Sequence, residues 1–515
     1  MEFKVKPLEI RSGGKQIIVM DDEYASLMGI HSSDRVKISY KQQNVIAIAN
    51  VATDFPKKTL GIYEEVQDKL KAQEGEIVTV RPAERPESLT YIRDKLVGRR
   101  LLDSEIKMIV KDVVERHLSD IELASFVTTL HIRGTSMDEA EALTKAMVET
   151  GQTLDFDRKP ILDKHSIGGV PGDKTTLLVI PIVSAAGFTI PKTSSRAITS
   201  PAGTADRMEV FCSVDLTCDE IRTVVEKTNA CLIWGGALEL APADDLFIQV
   251  EYPLSIDPLL LPSIMSKKKA IGADYVVIDI PTGRGAKIKT IGEAHALAQE
   301  FIELGKRLDV NIQCGVTFGE QPIGYAIGPA LEAREALSTL MGEGPIDLVN
   351  KAVSLAALLF EMIGFNEGIQ KAKDILESGE AEKKFREIIA AQGGNPDVKP
   401  EDIEVGNETV EIRSEEKGRI QWINNRAIAQ IARTAGAPKT MSAGVLLNKK
   451  LGEKVTKGET LYKIYSKSTQ KLESSVLLAE NLNPIGITEK FGEKMLVDRI
   501  PTKKISLEKP FILER

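Results

Sequence analysis

The sequence predicts a multidomain α/β protein with four units: a small N-terminal β domain, a helical bundle, a mixed and mostly parallel sheet covered by helices, and a C-terminal α+β domain. Three observations lead there. The chain has 515 residues, 42% of them apolar, which is too long for one ordinary core and suggests three or four domains. Its apolar period changes from two to about 3.6 near residue 84. Beyond residue 160, strand-like runs alternate with helical ones, the pattern of a parallel sheet with helices on its faces.

The first unit, residues 1–84, carries short β-rich runs: Gln16 to Met20, Arg35 to Tyr40, Val45 to Ile48 and Ile77 to Val80. Pro82 and Pro86 then punctuate the chain, because two prolines so close fit neither a helix interior nor a central strand. In the second unit, residues 85–160, Ile106, Ile109, Val110, Val113 and Val114 share one helix face. Ser119 to Glu122 and Ser136 to Glu139 have capping-box spacing and start two further helices, so the unit reads as a bundle, joined by a later helical segment near 255–272.

The third unit, residues 161–395, has strand-like runs at Ile161 to Asp163, Phe188 to Ile190, Ala230 to Trp234, Tyr275 to Asp279 and Val310 to Gln313. Ligands of such sheets sit at the C-terminal ends of the strands, so the loops that follow them are where chemistry belongs. Gln392 to Pro396, with Pro400, ends the pattern, and residues 403–515 regain strand character.

Composition narrows the function. The 67 basic and 75 acidic residues are mixed along the chain, for a net charge of −8, and no basic block follows a nucleic-acid backbone. No apolar stretch is long enough to span a bilayer and the N-terminus is unlike a signal peptide, so a cytoplasmic protein with neither nucleic-acid nor membrane partners is expected. Cys212, Cys218, Cys231 and Cys314 have no CxxC spacing, and the His, Asp and Glu residues show no metal-ligand spacing; no metal is expected. His31, His117, His131 and His295 are scattered, with His117 expected on an apolar helix face.

Two loops carry the strongest signals. Asp163 to Thr176, DKHSIGGVPGDKTT, follows a buried-type strand and leads into an apolar helix. Its glycines let backbone N–H groups approach an oxyanion, and Lys164, His165, Ser166 and Thr176 complete an anion cradle at a helix N-terminus. It is neither a Walker A loop nor GxGxxG. A second loop, Lys192 to Thr204, packs six hydroxyls and one arginine into a short span, although each hydroxyl taken singly also suits a turn or cap.

At these loops the chain resembles the pyrimidine and thymidine phosphorylases, whose phosphate loop has a Lys-His-Ser-x-Gly-Gly sequence leading to a Gly-Asp pair. Further blocks stand in the same order: SSRAITSPAGTADRMEVF, Leu240 to Asp244, Ser263 to Lys268 and Gly328 to Ala336. Two departures are informative. The Arg-Asp pair with which those enzymes read a pyrimidine corresponds to Val250-Glu251, and a nearly uncharged loop is replaced by Pro281 to Lys289, with the cations Arg284, Lys287 and Lys289. Added positive charge beside the ribose suits a 5′-phosphate. With the N-terminal β domain, these departures resemble the archaeal-type AMP phosphorylases.

That resemblance implies phosphorolysis of nucleoside 5′-monophosphates, with AMP and phosphate giving adenine and ribose 1,5-bisphosphate, and CMP and UMP as further substrates. It implies Asp257 as proton donor, and Gly169, Ser195, Arg196, Ala197, Ile198, Thr199, Ser200, Thr204, Ser263 and Lys287 as substrate-binding positions. Lys164, His165, Ser166, Thr176 and Ser194 would hold phosphate, which is a co-substrate; no cofactor is implied. A homodimer or larger homo-oligomer is expected. His165 is the second candidate for the acid. Three rivals remain: a pyrimidine-nucleoside phosphorylase, an anthranilate-type phosphoribosyltransferase, which would need acidic residues for magnesium diphosphate, and a carrier module at Val445 to Glu459, which lacks the flanked lysine such modules modify.

Overall fold

The structure is a computed structural model and describes residues 1–197 and 200–488. Six strands, β1 (Glu2–Pro7), β2 (Ile17–Asp21), β3 (Arg35–Tyr40), β4 (Gln43–Ala52), β5 (Thr59–Ile62) and β6 (Ile77–Pro82), form a closed barrel in the order β1-β5-β2-β4-β3-β6. The period of two explains its core. Phe3 and Val5, Ile18 and Met20, Val36 and Ile38, Leu60 and Ile62, and Val78 and Val80 all point inward and are buried. Closure pairs every edge, so no strand of this small sheet is left open.

Helices Ser88–Leu96, Asp103–Val114, Asp120–Arg133 and Met137–Glu149 form the bundle. Ser119 and Ser136 cap the third and fourth as the spacing predicts, each accepting from the N–H of the glutamate three residues on. Helix Pro242–Leu254 returns to this core, where Phe247 meets Phe126 at 6.1 Å between ring centroids. His117 corrects an expectation: it lies beyond the end of helix Asp103–Val114, half-buried, with Nδ1 2.9 Å from Asp112 Oδ1. The barrel meets the bundle through the ion pair of Arg35 with Glu122 and that of Lys15 with Asp120.

In the α/β unit, β7 (Leu162–Ser166), β10 (Tyr275–Thr282) and β11 (Asn311–Phe318) form a parallel sheet in the order β11-β10-β7. The parallel pair β8 (Ile190–Ser194) and β9 (Ala230–Trp234) continues it through a bridge between Ile161 and Thr189. Three of the sequence-read strands begin later than expected. The run from Phe188 becomes β8 at Ile190, the strand from Ile161 becomes β7 at Leu162, and that from Val310 becomes β11 at Asn311. Helix Thr176–Ala185 is buried at nearly every position and fills the space between sheet and outer helices.

The C-terminal unit uses β12 (Ala326–Ile327), β13 (Glu408–Arg413), β14 (Gly418–Ile423), β15 (Gly444–Leu447), β16 (Lys454–Val455), β17 (Thr460–Ser466) and β18 (Ile485–Thr488) in two sheets, β12-β15-β17-β13 and β16-β14-β18. Because β12 comes from the α/β stretch, the two units share a sheet. Among the described residues, no helix is long and apolar enough to cross a membrane.

Inside the bundle, Glu139 is 2% exposed and accepts from Lys95 Nζ at 2.7 and 2.8 Å, from Leu101 N at 2.9 Å and from Ser136 N at 2.9 Å. Removing the carboxylate strands a buried ammonium and a buried N–H. Glu139→Ala is therefore expected to destabilise the protein by about 3–5 kcal/mol, read as a lowered urea midpoint; an unchanged midpoint would show that the pair is not structural.

Candidate active site

Four segments converge at the C-terminal ends of β7, β8 and β10. The first is the loop after β7. Gly169 and Gly172 have φ of +94° and +75°, which L side chains rarely adopt, and their neighbours leave no room for one. A Cβ on Gly169 would lie 2.5 Å from Lys287 N, and one on Gly172 would lie 2.6 Å from Ile323 O. The first loop thus lies backbone to backbone against the cationic loop after β10.

Beneath it runs a buried charge network. Lys351 Nζ lies 2.9 Å from Asp173 Oδ2 and 2.9 Å from Asp279 Oδ2, and Lys164 Nζ is 3.9 Å from Asp279 and 3.4 Å from Thr176 Oγ1. Burial pushes the Asp173 carboxyl up, but the Lys351 and Lys164 ammoniums outweigh it and hold it far below the usual carboxylate range. Burial lowers Lys164, with Asp173 and Asp279 opposing. Nearby, Asp163 is shared by Lys268 at 2.6 Å and Lys192 at 3.6 Å. His165 sits beside both groups: burial, then Lys268, Lys192, Lys267 and Lys164, pushes its ring well below the ordinary value. A ring kept neutral in this way is a hydrogen-bond partner and a poor store of a proton, which weakens the case for His165 as the acid. Ser166 Oγ bonds Asp173 Oδ2 at 3.4 Å.

The second segment follows β8. Asp206 Oδ2 accepts from Ala197 N and from Gly203 N, both at 2.7 Å, and so ties the two ends of the loop together. Ser194 Oγ donates to Ile233 O at 2.9 Å and Ser200 Oγ to Ala202 O at 3.1 Å, while Thr204 opens the short helix Thr204–Met208. Ser195 is exposed. Ile198 and Thr199 lie outside the described residues. Arg196 departs from the expectation of an open anion-binding arginine: its guanidinium pairs with Glu209 at 2.7 Å and Asp215 at 3.4 Å, and stacks 4.9 Å from the Trp234 ring centre. With those carboxylates in place, the side chain shapes the loop.

The third and fourth segments face each other. Lys287, in the loop after β10, forms an ion pair with Asp257, in the turn between helices Pro242–Leu254 and Leu260–Ala270. Ser263, half-buried, lies in the first turns of the latter helix, and Lys267 pairs with Asp244 at 2.5 Å. Burial opposes the Lys267 charge, yet Asp244, Asp245 and Glu251 keep its pKa raised. Glu251, which stands where the pyrimidine-reading pair was expected, is 6% exposed, and its Oε1 accepts from Leu259 N at 3.3 Å.

Asp257 and Lys287 are thus brought together, as are Gly169 and Lys287. Sequence reasoning missed the roles of Lys351, Asp279 and Lys268, which support the first loop from remote positions. Asp112, Glu115 and His117 place possible metal-ligand atoms within 4.8 Å of one another at the end of a bundle helix, a grouping that the sequence analysis did not single out.

Lys351→Met would leave Asp173 and Asp279 buried without their shared cation, at an expected cost of about 3–5 kcal/mol in a urea melt. Because the folded Asp173 value is depressed, its stabilisation is present above the unfolded value of about 4 and is lost as pH falls through and below it. The variant's deficit should therefore hold from pH 7 to about pH 4 and shrink as the pH is taken below it. A deficit that is constant with pH would assign the loss to packing alone.

Comparison with known proteins agrees with this geometry. Residues 89–151 match the glycosyl transferase family, helical bundle domain; residues 158–382 match the glycosyl transferase family, a/b domain; and residues 419–486 match the pyrimidine nucleoside phosphorylase C-terminal domain. The AMP phosphorylase of Thermofilum pendens is 50% identical over 512 residues, covering 99% of this chain and 100% of that protein. The AMP phosphorylases of Thermococcus kodakarensis and Methanocaldococcus jannaschii are 51% and 48% identical, each covering 97% of this chain and 99% of their own. The crystal structure of anthranilate phosphoribosyltransferase from Thermus thermophilus shares the fold with a TM-score of 0.50 at 20% identity, covering 58% of this chain and 98% of that one. Identity of this order along the entire length, over loops joined as described, shows that the chain belongs to the AMP phosphorylase family.

Proposed function

We propose that the chain cleaves AMP with inorganic phosphate to give adenine and ribose 1,5-bisphosphate, and acts on CMP and UMP in the same way. The observation that carries this reading is the contact of Gly169 with the backbone of Lys287, which sets an anion cradle and a cationic loop side by side, one for each of two phosphates. The full-length relatives named AMP phosphorylase support it.

Phosphorolysis requires a nucleophile held below C1′, positive charge for two anions and a proton for the departing base. Lys164, Ser166, Thr176 and Ser194 would orient inorganic phosphate, with His165 as a neutral hydrogen-bond partner, since positioning makes the attack effectively unimolecular. Lys287, with the loop from Ser195 to Thr204, would hold the nucleotide, and Ser263 would contact the base. Asp257 would donate the proton, a role worth about 10²–10⁴ in rate. The phosphoribosyltransferase reading loses support because Asp173 and Asp279, the acids nearest the phosphate loop, are bound to Lys351 and are not open to magnesium diphosphate.

We propose that the protein works in the cytoplasm, as a homodimer or larger homo-oligomer. Val97, Leu102, Ile121 and Ile132 on the bundle are all more than 60% exposed, a surface suited to burial against a second copy. Light scattering on the eluted protein tests this, and a monomer at micromolar concentration would reject it.

Product analysis with AMP, CMP, UMP, adenosine and thymidine, each with and without phosphate, tests the activity. Phosphate-dependent release of base from AMP, with little from adenosine, is expected. Asp257→Asn should lower kcat by about 10²–10⁴ with substrate binding largely kept. Base release from thymidine or adenosine alone would overturn the nucleotide reading.

A further inference from the structure

The ion pair between Lys287 and Asp257 joins two groups that the proposed reaction assigns to opposite ends of the nucleotide, the 5′-phosphate and the base. In this arrangement the acid of the reaction is engaged as a carboxylate by a cation, and a carboxylate so paired is a poor proton donor. The same contact occupies the cation meant for the substrate.

The helix that leads into the turn of Asp257 carries three further carboxyls, Asp244, Asp245 and Glu251. Glu251, six residues back on helix Pro242–Leu254, has its carboxyl pushed up to about 8 by burial first, then by Asp257 and Asp244, with the Leu259 N–H and Lys287 opposing. Asp245 on the same helix is pushed up to about 6, chiefly by burial, with Lys267 opposing. Lys267, from helix Leu260–Ala270, is committed to Asp244. Lys287, from the loop after β10, is the cation paired with Asp257. Glu251 also holds the turn itself, since its backbone oxygen accepts from Ile256 N at 3.2 Å and its carboxylate oxygen from Leu259 N at 3.3 Å.

We propose that the Lys287–Asp257 ion pair makes the reaction specific for 5′-phosphorylated substrates: the incoming 5′-phosphate draws Lys287 away, and Asp257, released from its cation, takes a proton from solvent and becomes the acid. This rests on the AMP reading given above. An oxygen of inorganic phosphate then forms the bond to C1′. The C1′–N bond breaks with its electron pair going to the base nitrogen, and the Asp257 proton moves to that nitrogen. When ribose 1,5-bisphosphate departs, the Asp257 carboxylate recaptures Lys287. A nucleoside lacks the group that opens the pair, so it meets an unprotonated Asp257.

Two measurements test this on the full-length protein. The first is titration calorimetry with AMP in the absence of phosphate, in buffers of different ionisation enthalpy at about pH 7.5, where a 5′-phosphate with a second pKa of about 6 is already dianionic. Net proton uptake is expected with AMP, and none with adenosine or with Asp257→Asn. The second is phosphorolysis by Lys287→Met, in which kcat/KM should fall for AMP and rise for adenosine, shrinking their ratio roughly tenfold or more. Absence of proton uptake by the wild-type protein, or an equal loss on both substrates in the variant, overturns the proposal. Failure of the wild-type protein to release adenine from AMP and phosphate would instead overturn the activity, so the two failures are told apart.

Discussion

The site depends on one constraint: several charges are buried together beneath the loop after β7, and each must be compensated by another. Lys164, Lys192, Lys268 and Lys351 stand against Asp163, Asp173 and Asp279, all of them buried except the half-buried Asp173. An isolated buried charge costs several kcal/mol, so such a group persists only where its partners are fixed. The partners come from β7, β8, β10, helix Leu260–Ala270 and helix Ile346–Met362, and the network therefore sets the relative positions of those elements. Burial pushes Lys192 well below the ordinary lysine value and lowers Lys164, so compensation is tightest where Lys351 bridges Asp173 and Asp279.

The fold was legible where local rules govern it. Alternation in Arg35 to Tyr40, and capping boxes at Ser119 and Ser136, depend on residues within a turn or a strand of one another, and the structure realises both. Barrel closure was not legible, because the parallel pairs β1 with β5 and β2 with β4 join segments far apart in sequence whose patterns admit several partners. The sharing of β12 with the C-terminal sheet escaped notice for a similar reason: a two-residue strand carries no period.

For the site, the loops were readable because glycines and hydroxyls crowd into short spans. Their supports were not. Lys351 lies 178 residues from the Asp173 it neutralises, and on its helix it reads as one polar position among many. Arg196 shows the converse case. Within the sequence it is the lone arginine of a hydroxyl-rich loop, and its pairing with Glu209 and Asp215, 13 and 19 residues on, carries no local signal. Resemblance supplied Asp257, whose Asp-Pro setting alone reads as an ordinary turn.

The placement of Asp257 bears on how the cleft works. Helix Pro242–Leu254 packs into the bundle core through Ala243, Leu246 and Phe247, whereas helix Leu260–Ala270 packs into the α/β core through Ile264 and Met265 and is tied there by the Lys268–Asp163 pair. Helix Leu260–Ala270 also packs against the bundle helix Met137–Glu149, so the turn holding Asp257 lies where the bundle and the α/β unit meet. The phosphate side has little freedom, because Gly169 abuts Lys287 and a Cβ on Gly285 would lie 2.7 Å from the Asn425 side chain of the C-terminal unit. On the bundle side, Glu251 braces the turn through its bonds to Ile256 and Leu259. The proposed proton donor thus stands at the seam of the two units while the proposed cradle of the nucleophile belongs to the sheet, so the packing of the bundle on the sheet sets how the acid aligns with the scissile bond.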